Sequence, residues 1–308
     1  MEIGMTIIFL ALDLLVTGIT WGVTSQKDSY EKGMLLGVHI PEEAVTRSEV
    51  EEILRKKQRD NRRFQFANLL AGTGVCLLNL AGIGIFLIFW VLWLLEYVLG
   101  LFCLICGAHR KLYRLKKEMG WGEGSADGDE YWKHGWYFNP EDKRLLVEDR
   151  KNSTGYAFNM ARPASRLFVA GCFLVMALLP LSVGICFYQA DHVPISVSLE
   201  GNRVTIESFL YRCEFTLEQI EEAVLLPELP EDSFDRTNGA STFKRELGHY
   251  RGEETGPCMM FIDKGYSPVL FIDLGDESVF VNSREAEQTK EWYEMLARSI
   301  SGADTEIL

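Results

Sequence analysis

The chain contains one stretch that is too long and too apolar for a soluble protein, FQFANLLAGTGVCLLNLAGIGIFLIFWVLWLLEYVLGLFCLICGA, at residues 64–108. Glu96 is its only formally charged side chain. A helix that crosses a bilayer needs about 20 apolar residues, so this stretch is long enough for two such helices. Two glycines and an amide at residues 79–84 favour a tight turn between them. We therefore predict a transmembrane hairpin.

Two further apolar runs flank the hairpin, at residues 5–24 and 167–189. The first run lacks the basic beginning and the small-residue cleavage site of a signal peptide, so we expect a retained helix. The sequence thus predicts four transmembrane helices, at residues 1–24, two within 64–108, and 167–189. The chain then continues into a tail at residues 190–308.

The orientation of such helices follows from Lys and Arg near their ends. Basic clusters lie beside the apolar runs, at residues 55–63, 110–117 and 162–166, whereas residues 188–202 contain neither Lys nor Arg. We therefore predict that the loops at residues 25–63 and 109–166 are cytoplasmic. The N-terminus and the tail are then extracytoplasmic, in a multi-pass protein of the cell membrane.

The formal charge of the chain is concentrated in the tail. Residues 190–308 contain 10 Lys and Arg against 24 Asp and Glu, while the whole chain has net charge −13. An acidic surface of this kind repels nucleic acid and anionic lipid headgroups. We expect neither as a partner of the tail.

The pattern of the tail changes from apolar helices to short strands. Alternating apolar residues between turn signals predict about seven strands, at residues 193–199, 203–207, 209–215, 223–226, 259–263, 269–273 and 278–281. Apolar residues at helical spacing then predict a closing helix over residues 284–300. Between two of these strands we predict a polar loop at residues 234–242.

This order of strands and closing helix resembles the pleckstrin-homology superfold, in the form of the bacterial PH-like domain attached to membrane helices. The resemblance covers about 105 residues and is carried by residues 195–208, 215–220, 234–239 and the helix with Trp292 and Tyr293. It implies a β-barrel or sandwich that a helix closes. The superfold implies no established chemistry.

A compact aromatic motif lies between residues 131 and 163, within the second cytoplasmic segment. It contains the string Tyr-Phe-Asn-Pro-x-Asp and resembles a short domain of unknown function found beside membrane helices in bacteria. The residues that carry this match include Trp132, Tyr137, Phe138, Asn139, Pro140, Asp142 and Arg150. The whole layout also resembles bacterial membrane proteins related to bacteriocin-immunity and signalling factors.

Two acids inside the apolar runs, Asp13 and Glu96, are the strongest local anomalies. A charge at the centre of a membrane helix costs roughly 2.5–3.5 kcal/mol even on lenient scales. At 1.5 Å per residue, the acids lie about 12 Å and about 18 Å below the helix ends, so they could share a site. They either bind a proton or a cation, or are protonated and hydrogen-bonded within the bundle, for which Asn68 and Asn79 are candidate partners.

The cysteines give weak signals. Cys103 and Cys106 form a C-x-x-C spacing within an apolar run, where two small residues on one helix face explain it without a metal. Cys213 and Cys258 fall in the tail, where a disulfide remains open.

The sequence predicts no enzyme, because it contains no metalloprotease, serine-hydrolase or phosphate-loop motif. We predict no cofactor and no metal. The expected function is a sensing, accessory or immunity-type module that binds a protein or peptide through the tail. The polar loop is the candidate recognition element, with Asp235, Arg236, Thr237, Asn238 and Gly239. The alternative is a small proton- or ion-coupled transport component that uses Asp13 and Glu96; an oligomer or a subunit of a membrane complex also remains open.

Overall fold

A computed structural model describes residues 2–25, 28–122, 127–150 and 155–303. The chain forms two compact units. The helical unit comprises Ile3–Ala81 and Phe86–Ser182, and the C-terminal unit comprises Met1–Glu2, Gly82–Ile85 and Val183–Leu308. Part of the glycine-rich linker before the aromatic motif, at residues 123–126, lies outside the described residues.

Long helices dominate the first part of the chain. They are α1 (Glu2–Ser25), α2 (Ser48–Leu77), α3 (Ile83–Glu118) and α4 (Pro163–His192). Among the described residues, three helical segments are long and apolar enough to cross a membrane: Ile3–Ser25, Ile83–Glu118 and Pro163–His192. The apolar part of α2 is shorter, because the helix begins with a charged half and ends at the turn before α3.

The predicted turn between the two central helices is confirmed. A single 3-10 turn, Leu78–Leu80, follows α2, and α3 begins at Ile83. Gly82 has φ of 148°, a conformation that glycine adopts without strain. The charged run at residues 47–63 is helical and continues into the apolar segment, as its composition predicts.

Small elements complete the helical unit. The strands β1 (Met34–Leu35) and β2 (Val38–His39) form a short hairpin, and β3 (Leu146–Glu148) pairs with β4 (Tyr156–Phe158). The first hairpin contributes Leu35 and Val38 to a core that also contains Val50 of α2 and Leu112 of α3. This apolar core packs the charged halves of the two helices together.

The C-terminal unit has nine strands and one helix: β5 (Ser196–Glu200), β6 (Arg203–Ser208), β7 (Tyr211–Thr216), β8 (Glu222–Leu226), β9 (Phe234–Ser241), β10 (Arg245–Gly252), β11 (Gly256–Asp263), β12 (Val269–Asp273), β13 (Ser278–Val281) and α5 (Ala286–Ala303). Strands β5, β6 and β7 form one sheet, and the other six form a second in the order β8-β12-β13-β11-β10-β9. The pair β11–β13 is parallel and its neighbours are antiparallel.

The prediction of about seven strands, with a loop at residues 234–242, is wrong in one region. That region forms β9 and pairs along its length with β10, which the sequence pattern also missed. Alternation is absent in β9, because Asp235, Arg236, Thr237 and Asn238 are all exposed. A strand at the edge of a sheet does not need an apolar face, so its composition resembles that of a loop.

The main core of the C-terminal unit lies between its two sheets and α5. One face of the large sheet contributes Leu247, Phe261 and Val279, and the helix contributes Trp292 and Leu296. The small sheet closes the other side with Val204, Ile206 and Phe215. The opposite face of the large sheet carries a second cluster, which contains Tyr250, Cys258, Met260, Ile262, Val269 and Phe280.

A buried ionic network connects the end of α4 to the strands. Arg245 donates to both carboxylate oxygens of Asp263, at 2.7 and 3.1 Å, and to the backbone oxygen of Ala190 at 3.2 Å. Arg284 donates to Asp263 at 3.0 Å and to the backbone oxygen of Asp191 at 2.8 Å. The network therefore fixes the C-terminal end of α4 to the sheet that follows it.

Candidate functional site

A cleft of functional interest lies on the second face of the six-stranded sheet. Its volume is about 480 Å³. Apolar side chains form the floor and polar side chains the rim. The lining comprises Glu228, Leu229, Phe234, Glu246, Tyr250, Met260, Ile262, Asp263, Lys264, Gly265, Tyr266, Ser267 and Val269. We call this the sheet cleft. An apolar floor with a few polar groups at the rim is typical of a binding site.

Two charges at the rim of the sheet cleft, those of Glu246 and Lys264, are paired. Glu246 accepts hydrogen bonds from Ser241 at 3.0 Å and from the Tyr250 hydroxyl, and Lys264 lies 2.6 Å from the same carboxylate. Burial and the hydrogen bond to Glu246 raise the pKa of Tyr250 far above its usual value. The phenol therefore stays neutral, and the cleft offers a ligand apolar contact with a fixed polar edge.

Strand β9 borders the sheet cleft and forms an edge of the six-stranded sheet. Within the described residues, its only partner strand is β10, on its inner side. The register with β10 shifts between His249 and Tyr250, which marks a bulge at Thr237 of β9. Phe234 belongs both to this strand and to the cleft wall. The predicted recognition residues thus stand beside a cleft, on a strand rather than a loop.

The aromatic motif forms a small folded unit. Trp132, Tyr137 and Val147 are buried together in a core of their own. The Asn139 side chain accepts hydrogen bonds from the backbone N–H groups of Glu141 and Asp142, at 2.9 and 3.3 Å, and so builds the turn at Pro140. Asn159 is fully buried and joins this turn to the chain after β4. Phe138 is 40% exposed.

The hydrogen bonds of the motif are local. Tyr137 donates to Asp142 at 2.9 Å, and Arg150 stacks over the Trp132 ring at 5.6 Å. The neighbouring Arg144 holds the pKa of Asp142 well below its usual range. Each motif side chain of this set therefore serves a contact within the unit, and the arrangement explains the string Tyr-Phe-Asn-Pro-x-Asp as a structural turn.

A cluster of charged groups lies beside the motif. His39, Asp127 and Asp129 offer atoms within 4.8 Å of one another that could ligate a metal ion. However, the Lys116 ammonium bonds both acids, and it lies 2.6 Å from Asp129. Arg150 bonds Asp129 at 2.5 Å. Burial raises the pKa of Asp129, but the hydrogen bonds from Lys116 and His39 outweigh this and hold the pKa below its usual value. The lysine thus supplies the positive charge that a metal would supply.

The two intramembrane acids occupy different environments. Asp13 is 6% exposed and lies against Gly72 of α2, where an added Cβ would come within 2.4 Å of its carboxylate. Glu96 is exposed on α3 and lies near Gly100. The described contacts of the two acids have no residue in common. The structure therefore gives no support to a site that both acids share.

The structure also locates the two amides that the sequence suggested as partners of the acids. Asn79 donates to Thr6 at 3.0 Å, and Asn68 donates to the backbone oxygen of Phe64 at 3.2 Å. Both are buried. Sequence reasoning missed further buried polar residues of the same bundle, among them Thr17, Gln65 and Tyr97. The spacing of Thr6, Asp13, Thr17 and Thr20 along α1 is the signal that indicates such a polar face.

The sheet cleft was missed entirely. Its residues come from β9, β10, β11 and β12, from the loop between β11 and β12 and from the segment before β9, so only the folded sheet brings them together. Both tail cysteines are buried free thiols, Cys213 on β7 and Cys258 on β11, and burial raises the pKa of each to about 11.

A scan against protein-family models found no match, and searches of curated proteins and of solved structures found no significant similarity. The resemblances to the PH-like domain and to the motif domain therefore stay predictions.

Proposed function

We propose that the protein is a membrane-anchored, non-enzymatic binding module whose C-terminal unit binds an extended segment of another protein. The bound segment adds a strand to β9 and places an apolar side chain in the sheet cleft. The observation that carries the proposal is the continuity of an exposed edge strand with an apolar-floored cleft, joined at Phe234. In strand addition, main-chain hydrogen bonds supply affinity and a side-chain pocket supplies specificity.

The charge of the C-terminal unit supports the same class of partner. Its acidic surface disfavours nucleic acid and anionic lipid, and the β9 face presents Asp235 beside Arg236 and neutral Asn238. A peptide with both apolar and basic residues suits this surface. A sensing, accessory or immunity-type role is the class of function that such a module serves, in the PH-like architecture that the sequence resembles.

The arrangement in the membrane is part of the proposal. The apolar part of α2 and the three longer helices give four spans, so the N-terminus and the C-terminal unit lie on the same, extracytoplasmic side. The basic clusters beside α2, α3 and α4 support this orientation.

Binding is tested with a peptide library displayed on phage, selected against the full-length protein in lipid nanodiscs. Selected peptides should slow hydrogen exchange of the β9 amides, and N-methylation at alternate peptide positions should abolish binding. The variant Phe234→Ala should weaken binding about tenfold or more, because truncating a side chain at the centre of a binding site commonly costs over 1 kcal/mol.

The matched control is Arg203→Ala on β6, an exposed residue of the other sheet, which should leave peptide affinity unchanged. Peptides that protect another surface, or that bind equally well after N-methylation, would contradict strand addition at β9.

The orientation is tested by cysteine labelling in intact cells. A cysteine at Ser301 should react with a membrane-impermeant maleimide, and one at Lys143, in the motif segment, should react only after permeabilisation. The reverse pattern would overturn the proposed orientation and leave the peptide-binding proposal to be judged on its own test.

A further inference from the structure

Helices α1 and α2 pack through polar rather than apolar side chains. The buried residues of α1 include Thr6, Asp13 and Thr17. The buried face of α2 within the apolar segment contains Gln65, Asn68 and Gly72. Their apolar neighbours, such as Leu12, Val16 and Leu70, are exposed. We call this buried polar contact between the two helices the polar seam.

One oxygen of the Asp13 carboxylate has no hydrogen-bond donor within the described part of the polar seam. Thr17 donates to Oδ1 of Asp13 at 3.5 Å. Oδ2 of Asp13 is buried without a partner in the described part of the chain, and so is Oδ1 of Asn68. Asn68 lies one helical turn before Gly72, the residue that Asp13 contacts. Two buried acceptors without donors are costly unless a proton or a cation satisfies them.

A chain of hydrogen bonds leads toward Asp13 from one end of the bundle. Gln65 donates to Thr24 at 3.4 Å, and the Tyr97 hydroxyl of α3 donates to Gln65 at 2.7 Å. The same hydroxyl contacts Thr20, whose Oγ1 lies 3.1 Å from the backbone oxygen of Thr17. Thr17 then contacts Asp13. Because Thr20 donates to a backbone oxygen, these bonds do not themselves relay a proton, but the polar side chains line a route from Thr24 to Asp13 along which water carries one.

The far end of this chain opens into a cleft. Thr24 lines a cleft of about 320 Å³ together with Asn61, Asp28 and Lys57. Asp28 and Lys57 form an ion pair there. Charged groups of this kind hold water at the Thr24 end of the hydrogen-bonded side chains, and that water is the source of the proton.

Aromatic rings close the other end of the polar seam. Phe9, one turn before Asp13, stacks on Phe86 of α3 with ring centroids 4.3 Å apart. Phe86 is 1% exposed. Beyond the rings, Asn79 and Thr6 are hydrogen-bonded to each other. The seam is therefore open toward Thr24 and closed beyond Phe9.

We propose that Asp13 is a proton-binding site that exchanges its proton with water entering from the Thr24 side, along the polar side chains of Thr24, Gln65, Tyr97 and Thr20. The carboxylate takes up one proton on Oδ2 to form the neutral acid, whose O–H donates to Oδ1 of Asn68. Release reverses the step, and no other reactant takes part. The site requires no contribution from Glu96.

The titratable groups that face this site from the neighbouring helices are few. On α2, the Cys76 thiol is buried close enough to interact electrostatically with Asp13. On α3, the group is the Tyr97 phenol, which stacks on Trp93 with centroids 5.5 Å apart. The ion pair of Asp28 and Lys57 lies at the cleft that Thr24 lines.

Infrared spectroscopy of the full-length protein in lipid nanodiscs tests the proposal. The carboxylic-acid C=O band of Asp13 should be present at neutral pH and absent in Asp13→Asn, and it should shift in D₂O as the proton exchanges. Tyr97→Phe keeps the ring stack and removes only the hydroxyl. It should slow this exchange about tenfold or more, which corresponds to at least about 1.4 kcal/mol in the barrier.

The matched control is Thr6→Ala, which removes a hydrogen bond on the closed side and should leave the exchange rate unchanged. The Asp13→Asn protein keeps the hydrogen-bonding shape of the side chain, and its circular dichroism should match that of the wild type. The absence of an acid band from Asp13, or an unchanged exchange rate in Tyr97→Phe, would overturn the proposal.

Discussion

The polar seam and the core of the C-terminal unit bury opposite kinds of side chain. Asp13 and Gln65 are inside the helical bundle while Leu12 is 51% exposed, whereas apolar side chains such as Leu247 and Phe261 form the core of the C-terminal unit. Water drives apolar side chains inward, but lipid tails are as apolar as leucine and give no such force. The difference fits a chain that folds in two solvents.

The two regions should differ first in the protection of their thiols. Cys213 and Cys258 are buried in the C-terminal unit, and their raised pKa values of about 11 suppress the reactive thiolate. With an unfolding free energy of about 5 kcal/mol, the unit exposes them in only about one molecule in 10⁴. A water-soluble maleimide at pH 8 should therefore modify them about 10⁴-fold more slowly than in urea.

The measurement is mass spectrometry of time-resolved labelling, with Ser198→Cys on the exposed face of β5 as the rapidly labelled control. Cys103, Cys172 and Cys186, which are exposed on the helices, should react with a lipid-soluble reagent instead. Rapid native labelling of the two tail thiols would show that the C-terminal unit does not hold a closed core.

The buried ion network should give the largest single-residue effect. Arg245→Ala leaves Asp263, which is 2% exposed, without its bidentate partner. We expect a loss of about 3–5 kcal/mol in the free energy of unfolding of the C-terminal unit. The urea dependence of Cys258 labelling measures it. Arg203→Ala breaks an exposed pair with Glu214 and should cost less than about 1 kcal/mol; equal effects would refute the distinction.

A matched pair of leucines tests directly whether the two regions bury opposite kinds of side chain. Leu247→Ala in the C-terminal core should destabilise that unit by about 2–5 kcal/mol, because it leaves a cavity. Leu12→Ala on the outer face of α1 should change the stability of the helical unit by no more than about 0.5 kcal/mol. Urea titration measures the first and SDS titration in micelles the second. A large cost at Leu12 would mean that this face packs against protein.

The smallest effect is expected inside the polar seam. Gln65→Leu removes the hydrogen bonds to Tyr97 and Thr24. The average side-chain hydrogen bond in a membrane protein contributes about 0.6 kcal/mol, so we expect a loss of about 1 kcal/mol in an SDS titration. Phe66→Leu, on the exposed side of α2, is the control and should have no measurable effect. A loss of several kcal/mol would show that the seam, rather than packing, holds the bundle.

The sequence predicts those strands and helices whose buried faces appear as a regular pattern of apolar residues. The last two strands begin and end at the predicted residues, because apolar runs there alternate with turn residues. The prediction fails for an exposed strand such as β9, where any polar residue is tolerated. It also fails where a glycine interrupts the apolar pattern, as Gly248 does in β10. Gly248 has φ of 106° and lies against the Tyr211 ring and the β9 backbone, which leaves no room for a side chain.

The candidate sites also divide into one that the sequence marks and one that only the fold assembles. Asp13 was identified because an acid in an apolar run is conspicuous, but its environment depends on which helix face meets α2. The threonines at positions 17, 20 and 24 carry that information in their spacing, since they recur at three- and four-residue intervals with Asp13. The sheet cleft had no such signal, because its residues are spread over four strands and the loops beside them, and no single run of sequence carries a recognisable spacing.

Lys116 has a consequence for how this protein can evolve. It occupies the position between Asp127 and Asp129 that a divalent ion would occupy, with His39 as a third ready ligand. The motif segment can therefore keep its shape whatever the metal supply of the cell. Replacing this one lysine by a neutral residue would remove only one of the two cations beside the acids, because Arg150 stays bonded to Asp129. The segment thus has two side-chain charges in reserve against the repulsion between its acids.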